Sequence, residues 1–221
     1  MSTIAIVGGH GNIARLLTPL LVSAGHDVVG LIRNPDHGSD LEDLGARWKI
    51  LDIEASDVAT FAQVLEGADV VVFAAGGGPD GKVERKRTVD LEGSLKSIAA
   101  ARDLDIRRFV QISAIGVDEV PDDSVGEVWV EYVKAKRDAD VALRASGLDW
   151  TIIRPGGLTD DQATGKVELG QHVARESVPR ADVAAVLAAV IDDDSTIGHQ
   201  FELISGEHSI PDAITAATSA A

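Results

Sequence analysis

Cysteine is absent from the 221 residues of this chain. That excludes disulfide staples, thiolate nucleophiles and cysteine-ligated metals, and it fits a reducing compartment. Aromatic residues are scarce at 4%, and tyrosine occurs once, at Tyr132. No apolar run approaches the ~20 residues of a membrane-spanning helix. The first residues, Met1 to Val7, lack the basic region of a secretory signal. The expectation is therefore a cytoplasmic protein without membrane contact. Basic residues are the minority, 20 Lys+Arg against 36 Asp+Glu, for a formal charge of −16. Such a field repels a phosphate backbone, which argues against nucleic acid as the main partner. The six histidines are scattered without metal-ligand spacing, so no metal site is expected.

What is present has the balance of a globular protein, 45% hydrophobic and 25% charged, at a length that supports one sizeable core. Short β-branched runs alternate with helical stretches. The runs are Thr3–Val7, Asp27–Ile32, Trp48–Leu51, Val70–Ala74, Phe109–Ile112 and Trp150–Ile153. This rhythm predicts βαβ units and an α/β fold, a Rossmann-like doubly wound parallel sheet. The first helix, Ile13–Ala24, contains Pro19, which removes a hydrogen bond and should kink it. After Arg154 the texture changes. Pro155-Gly156-Gly157 should end the last regular strand, and a polar stretch, a helix at Arg180–Ile191 and a strand at Gln200–Ile204 follow. The expected organisation is a single domain, residues 1–221, in which 155–221 form a small substrate-side lobe at the open edge of the sheet.

Gly8-Gly9-His10-Gly11-Asn12-Ile13-Ala14 directly follows the first strand and opens the first helix. Glycines permit a tight turn and bring backbone N–H groups close to a pyrophosphate, while the helix N-terminus favours the anion. The second strand ends Leu31-Ile32-Arg33-Asn34 without the carboxylate that usually binds an NAD ribose. Arg33 can instead clamp a 2′-phosphate, so NADP(H) is expected over NAD(H). Asp52 and Ile53 end the third strand, where a carboxylate can accept from the adenine amino group and an apolar side chain can pack on the ring. Ala74-Ala75-Gly76, after the fourth strand, keeps the surface small where the cofactor would cross.

Ser113 closes the fifth strand, and Tyr132 and Lys136 sit four residues apart on a helix, hence on one face. The inward stripe of that helix reads Val128, Tyr132, Ala135, Ala139, Ala142 and Leu143, with Lys136 beside it. A carbonyl reduced by hydride needs a proton donor. A nearby ammonium should lower the tyrosine pKa toward neutrality, and a serine hydroxyl can hold the substrate oxygen.

Taken together, the glycine turn, Arg33, Leu51-Asp52, Ala74-Ala75-Gly76, Ser113, Tyr132-Lys136 and Arg154-Pro155-Gly156-Gly157-Leu158 resemble an atypical short-chain dehydrogenase/reductase. The similarity is to its compact group described as NADH-flavin reductases or NAD-dependent epimerase/dehydratases, and it extends from Ile4 to about Phe201. The resemblance implies that Gly8, Gly9, His10, Gly11, Asn12 and Ile13 hold the pyrophosphate. It places Arg33 at the 2′-phosphate, Asp52 and Ile53 at the adenine, and Ala74, Ala75 and Gly76 along the ribose path. Pro155, Gly156, Gly157 and Leu158 would touch the nicotinamide side. Ser113, Tyr132 and Lys136 match the reductase triad, with Lys136 also on the ribose. The implied activity is NADP(H)-dependent hydride transfer to a small carbonyl or ring substrate, by a monomer or homodimer. Epimerase or dehydratase chemistry and a non-catalytic NADP(H)-binding redox sensor are the alternatives.

Overall fold

The computed structural model describes residues 1–78, 82–119 and 121–219. In chain order it forms β1 (Thr3–Val7), α1 (Asn12–Ser23), β2 (Asp27–Ile32), α2 (Gly38–Asp43), β3 (Arg47–Ile50), α3 (Val58–Leu65) and β4 (Val70–Phe73). Next come α4 (Val83–Arg85), a π-helical turn (Lys86–Leu91), α5 (Glu92–Asp103), β5 (Arg108–Ile112), α6 (Glu127–Arg144), β6 (Asp149–Pro155) and β7 (Gly157–Thr159). The chain ends with β8 (Lys166–Gly170), β9 (Ser177–Pro179), α7 (Arg180–Ile191), β10 (His199–Ser205), β11 (His208–Ser209) and α8 (Ile210–Ser219).

Among the described residues nine strands form one sheet in the order β11-β8-β10-β6-β5-β4-β1-β2-β3. From β10 to β3 every pairing is parallel, while at the far edge β8 is reversed and pairs antiparallel with both β10 and β11. The fold is thus a Rossmann-like α/β structure, and strand order reverses between β1 and β4, where such sheets open a crevice at their C-terminal ends.

Helices cover both faces, so β1, β2 and β4 are nearly continuous apolar runs rather than alternating. Along β1, Ile4 and Ile6 join the core beneath α1 and α7, whereas Ala5 and Val7 join the core beneath α3 and α5. Helix α7 is apolar on almost every side because the sheet, α1 and α8 surround it. Helix α1 runs unbroken through Pro19, and Gly25, at φ +90°, ends it with the His26 N–H on the Leu21 carbonyl.

The tail differs from a lobe set against the sheet edge. Beyond Pro155 the described residues continue the sheet itself, since β10 pairs with β6 and β8 pairs with β10. The break at Pro155-Gly156-Gly157 is also local. The chain passes directly into β7, which pairs with β9 in a separate two-stranded ladder.

Candidate active site

The glycine turn is pressed between two strands. Gly8 has φ +83°, and a Cβ there would lie 2.8 Å from the Ala75 Cα. A Cβ on Gly9 would lie 2.6 Å from the Gly30 Cα. Only a bare backbone fits at either position, and both N–H groups donate to the Leu31 carbonyl. Gly11 caps α1 in an extended conformation. No side chain caps that helix and no acidic residue occupies its first turn, so its leading N–H groups stay open to an anion. A cradle without Cβ atoms, closed by an uncapped helix, fits a dinucleotide pyrophosphate.

Beside the cradle lies a cleft of about 290 Å³ at the C-terminal ends of β1 to β4. Gly8, His10, Gly11, Arg33, Asp52, Ile53, Ala74, Ala75 and Gly76 all line it, while Gly9, Asn12 and Ile13 build the turn behind. His10 bonds Asp40 through Nε2 at 2.7 Å and stacks on His37, centroids 3.8 Å apart. This contact pulls the Asp40 carboxyl below its ordinary value. One Asp52 oxygen is taken by the N–H groups of Glu54 and Ala55, an Asx turn that holds the residue at the cleft. The Arg33 side chain is 62% exposed and its Nη1 stands 3.6 Å from Glu54 Oε2. Glu54 also meets Arg85 at 3.3 Å and accepts from the Thr88 hydroxyl. Neither Glu54 nor Arg85 is marked by any local pattern in the sequence.

A second, larger cavity of about 1050 Å³ opens at the ends of β5 and β6 beside α6. Tyr132, Trp129 and Val128 form one wall, and Pro155, Gly156, Gly157 and Leu158 face it. The buried face of α6 carries Val130, Val133, Ala135, Lys136, Ala139, Asp140 and Leu143. Ala135, Ala139 and Leu143 of the stripe read in the sequence are buried, whereas Val128, Tyr132 and Ala142 are only partly so. The buried face turns toward Val130, Val133, Lys136 and Asp140. Val128 and Tyr132 line the cavity, and Lys136 is fully inside.

Lys136 finds partners within the protein in addition to the cofactor ribose expected for it. Its Nζ lies 3.2 Å from Asp90 Oδ1 and donates to the Ile112 carbonyl at 3.1 Å. The other Asp90 oxygen accepts the Gly77 N–H at 2.8 Å. Burial opposes the Lys136 charge, yet Asp90 and Tyr132 outweigh it and hold the ammonium above its ordinary pKa. Tyr132 behaves opposite to the expectation. Burial raises its pKa, Lys136 pulls it down, and Asp90 and Asp140 raise it further, for a net rise. Burial is the largest influence, and the Asp90 carboxylate beside Lys136 offsets part of the ammonium's downward pull.

Ser113 is likewise spoken for. Its hydroxyl donates to Asp140 Oδ2 at 2.7 Å, and the residue lines neither cavity. Asp140 also accepts from Gln111 at 2.7 Å and from Arg154 Nε at 2.9 Å. Burial pushes the Asp140 carboxyl up against the downward pull of Arg154, Ser113 and Gln111. Arg154 completes the network with a two-pronged contact to Asp118. Lys86, which the sequence reading missed, lines the large cavity instead. It is buried in the π-helical turn, donates to the Gly78 carbonyl, and its Nζ lies 5.9 Å from the centre of the Tyr132 ring. Such turns are often found at functional sites.

Fold and site together define a dinucleotide-binding α/β protein. A family model described as NAD(P)H-binding matches residues 8–194, and the chain belongs to that family. It is 32% identical to the uncharacterized sugar epimerase YhfK of Bacillus subtilis, over 95% of this chain and 97% of that one. A solved structure from Bacillus halodurans, assigned by name to the NAD-dependent epimerase/dehydratases, superposes with TM-score 0.91 at 34% identity, covering 98% of this chain and 100% of the other. The oxidoreductase ylbE of Lactococcus lactis superposes with TM-score 0.84 at 25% identity, covering 97% and 95%. Among the described residues no helix is long and apolar enough to cross a membrane.

Proposed function

We propose that the protein is an NADP(H)-dependent oxidoreductase that reduces a small carbonyl or conjugated-ring compound in the larger cavity. One observation carries the reading. The sole tyrosine stands in the wall of an apolar cavity, one helical turn from a buried ammonium, next to the glycine stretch that leads to the dinucleotide cleft.

The bound nicotinamide cofactor supplies the hydride. Residues Gly8 to Ile13 would hold its pyrophosphate, Asp52 and Ile53 the adenine, Arg33 the 2′-phosphate, Ala74 to Gly76 the central stretch and Pro155 to Leu158 the nicotinamide side. A carbonyl that accepts hydride gathers negative charge on oxygen and takes a proton from Tyr132. A phenol with a raised pKa is fully protonated at neutral pH, as a donor must be. Lys136 stabilises the phenolate left behind and would bind the cofactor ribose. Ser113, with its hydroxyl on Asp140, ties β5 to α6 and so sets the position of Tyr132.

The test is NADPH oxidation against a panel of aldehydes, ketones, quinones and flavins, with wild type and Tyr132→Phe. The variant should lose about 10²–10⁴-fold in turnover while retaining cofactor binding. Turnover that survives the change would sink the tyrosine role. Tight NADPH binding without turnover of any compound would favour the sensor reading.

A further inference from the structure

Two of the cations that line the larger cavity form no ion pair among the described residues. Of its three cations only Arg180 has a counterion among the described residues, Asp160 at 2.7 Å. Lys86 is 7% exposed, and among the described residues no carboxylate lies within ion-pair distance of it. Arg175 has neither an ion pair nor a hydrogen bond among the described residues. A buried, unpaired ammonium is costly, and its persistence beside a cavity points to an anion that enters.

Arg175 is also placed rather than merely exposed. Its guanidinium lies against Gly116, where a Cβ would come within 2.4 Å of Nη2. The buried Glu202 carboxylate accepts the Gly116 N–H at 3.1 Å and the Val173 N–H at 3.0 Å. One side chain thus pins both the loop under Arg175 and the loop that carries it. Apart from Glu127, Glu176, Ser177 and Tyr132 the rest of the lining is apolar, with Trp129, Val125 and Leu158 among the large hydrophobic side chains left exposed.

We propose that the substrate is an apolar carbonyl compound bearing a carboxylate, which Arg175 binds while Lys86 faces the reacting end beside Tyr132. A planar guanidinium forks onto a carboxylate with two charge-assisted bonds. A monoanion suits this site better than a phosphate or diphosphate. Glu127 and Glu176 also line the cavity and the whole chain carries −16, so repulsion grows with each added negative charge. The inference rests on the reductase reading for the chemistry but on the cavity alone for the anion.

The experiment pairs 3-benzoylpropionate, an aryl ketone with a carboxylate, with its methyl ester. Binding to the NADP-loaded protein is measured by calorimetry and reduction by NADPH oxidation, in wild type, Arg175→Met and Arg175→Lys. Wild type should bind the acid about tenfold more tightly than the ester, the scale of one charged hydrogen-bond pair. Arg175→Met should reduce that ratio to one, and Arg175→Lys should restore part of it. If this binding pattern holds but neither compound is reduced, the anion site stands and the reductase reading falls. Equal binding of acid and ester by wild type, an unchanged ratio in Arg175→Met, or no binding of either compound would overturn the proposal whatever the turnover.

Discussion

Lys136 and Asp90 form an ion pair, Nζ to Oδ1 3.2 Å, with side chains only 6% and 1% exposed. Because the second Asp90 oxygen holds the Gly77 N–H, the pair joins α6 to the glycine stretch between the two cavities. Replacing Asp90 by Asn strands a buried charge, and breaking such a pair typically costs about 3–5 kcal/mol. Urea denaturation of Asp90→Asn should show a loss of that order. The Lys136 pKa is raised on folding, so the pair stabilises fully below the ordinary lysine value of 10.5 and fades as pH rises beyond it. The gap between wild type and variant should therefore be level through neutral pH and shrink only in strong alkali.

Tyr132 makes a second pH prediction. Its pKa lies above the ordinary phenol value of 10.0, so the proton is retained through neutral pH. Reduction measured as kcat/KM should not fall on account of Tyr132 until pH exceeds that value. A decline near neutrality that disappears in Tyr132→Phe would contradict the structure.

The glycine cradle predicts a steric failure. A Cβ at position 9 would sit 2.6 Å from the Gly30 Cα, and backbone cannot swing aside as a side chain can. Gly9→Ala should cost about 1–3 kcal/mol of stability, as overpacking does, and weaken NADPH binding. Thermal unfolding and a fluorescence titration on the variant check both effects.

Arg33 and Glu54 set up a contest over the cofactor. Glu54 lies 3.6 Å from the guanidinium that would clamp a 2′-phosphate. Arg33→Ala should weaken NADPH binding far more than NADH binding. Glu54→Gln should strengthen NADPH binding severalfold, since it removes a competing carboxylate, with NADH little changed. Equal losses of both cofactors in Arg33→Ala would end the assignment of Arg33 to the phosphate.

Asp140 anchors the core beneath the site. Arg154, Ser113 and Gln111 all donate to it, and Arg154 is itself buried. Asp140→Ala should destabilise the protein by about 3–5 kcal/mol in denaturant titrations, the range for an orphaned buried partner. Asp140→Asn should lose less, because it still accepts hydrogen bonds.

Much of the fold is legible locally. The strands from β1 to β6, and β10, lie within two residues of the runs that announce them. For β1, β2 and β4 the reason is burial on both faces, which demands a nearly continuous apolar run. The glycine turn is readable for a similar reason. Its requirement for a positive φ at Gly8 and for close backbone approach at Gly9 is met by residue type at the position itself. The rotated stripe of α6 shows where this ends. Tyr132 and Val128 have the spacing of core residues, and only the cavity on that side of the helix leaves them at its wall.

The sequence by itself determined the strands from β1 to β6, the dinucleotide cradle and the Tyr132-Lys136 spacing, since all of these depend on neighbours within a turn or a strand, whereas β7, β8, β9 and β11 left no such mark. Tertiary structure alone decided that Asp90 balances Lys136, that Asp140 claims the Ser113 hydroxyl, and that Lys86 and Arg175 share a cavity with Tyr132. Those partners lie far apart along the chain. Whether a charge is matched or left open for a ligand depends on which distant groups the sheet brings within hydrogen-bond reach.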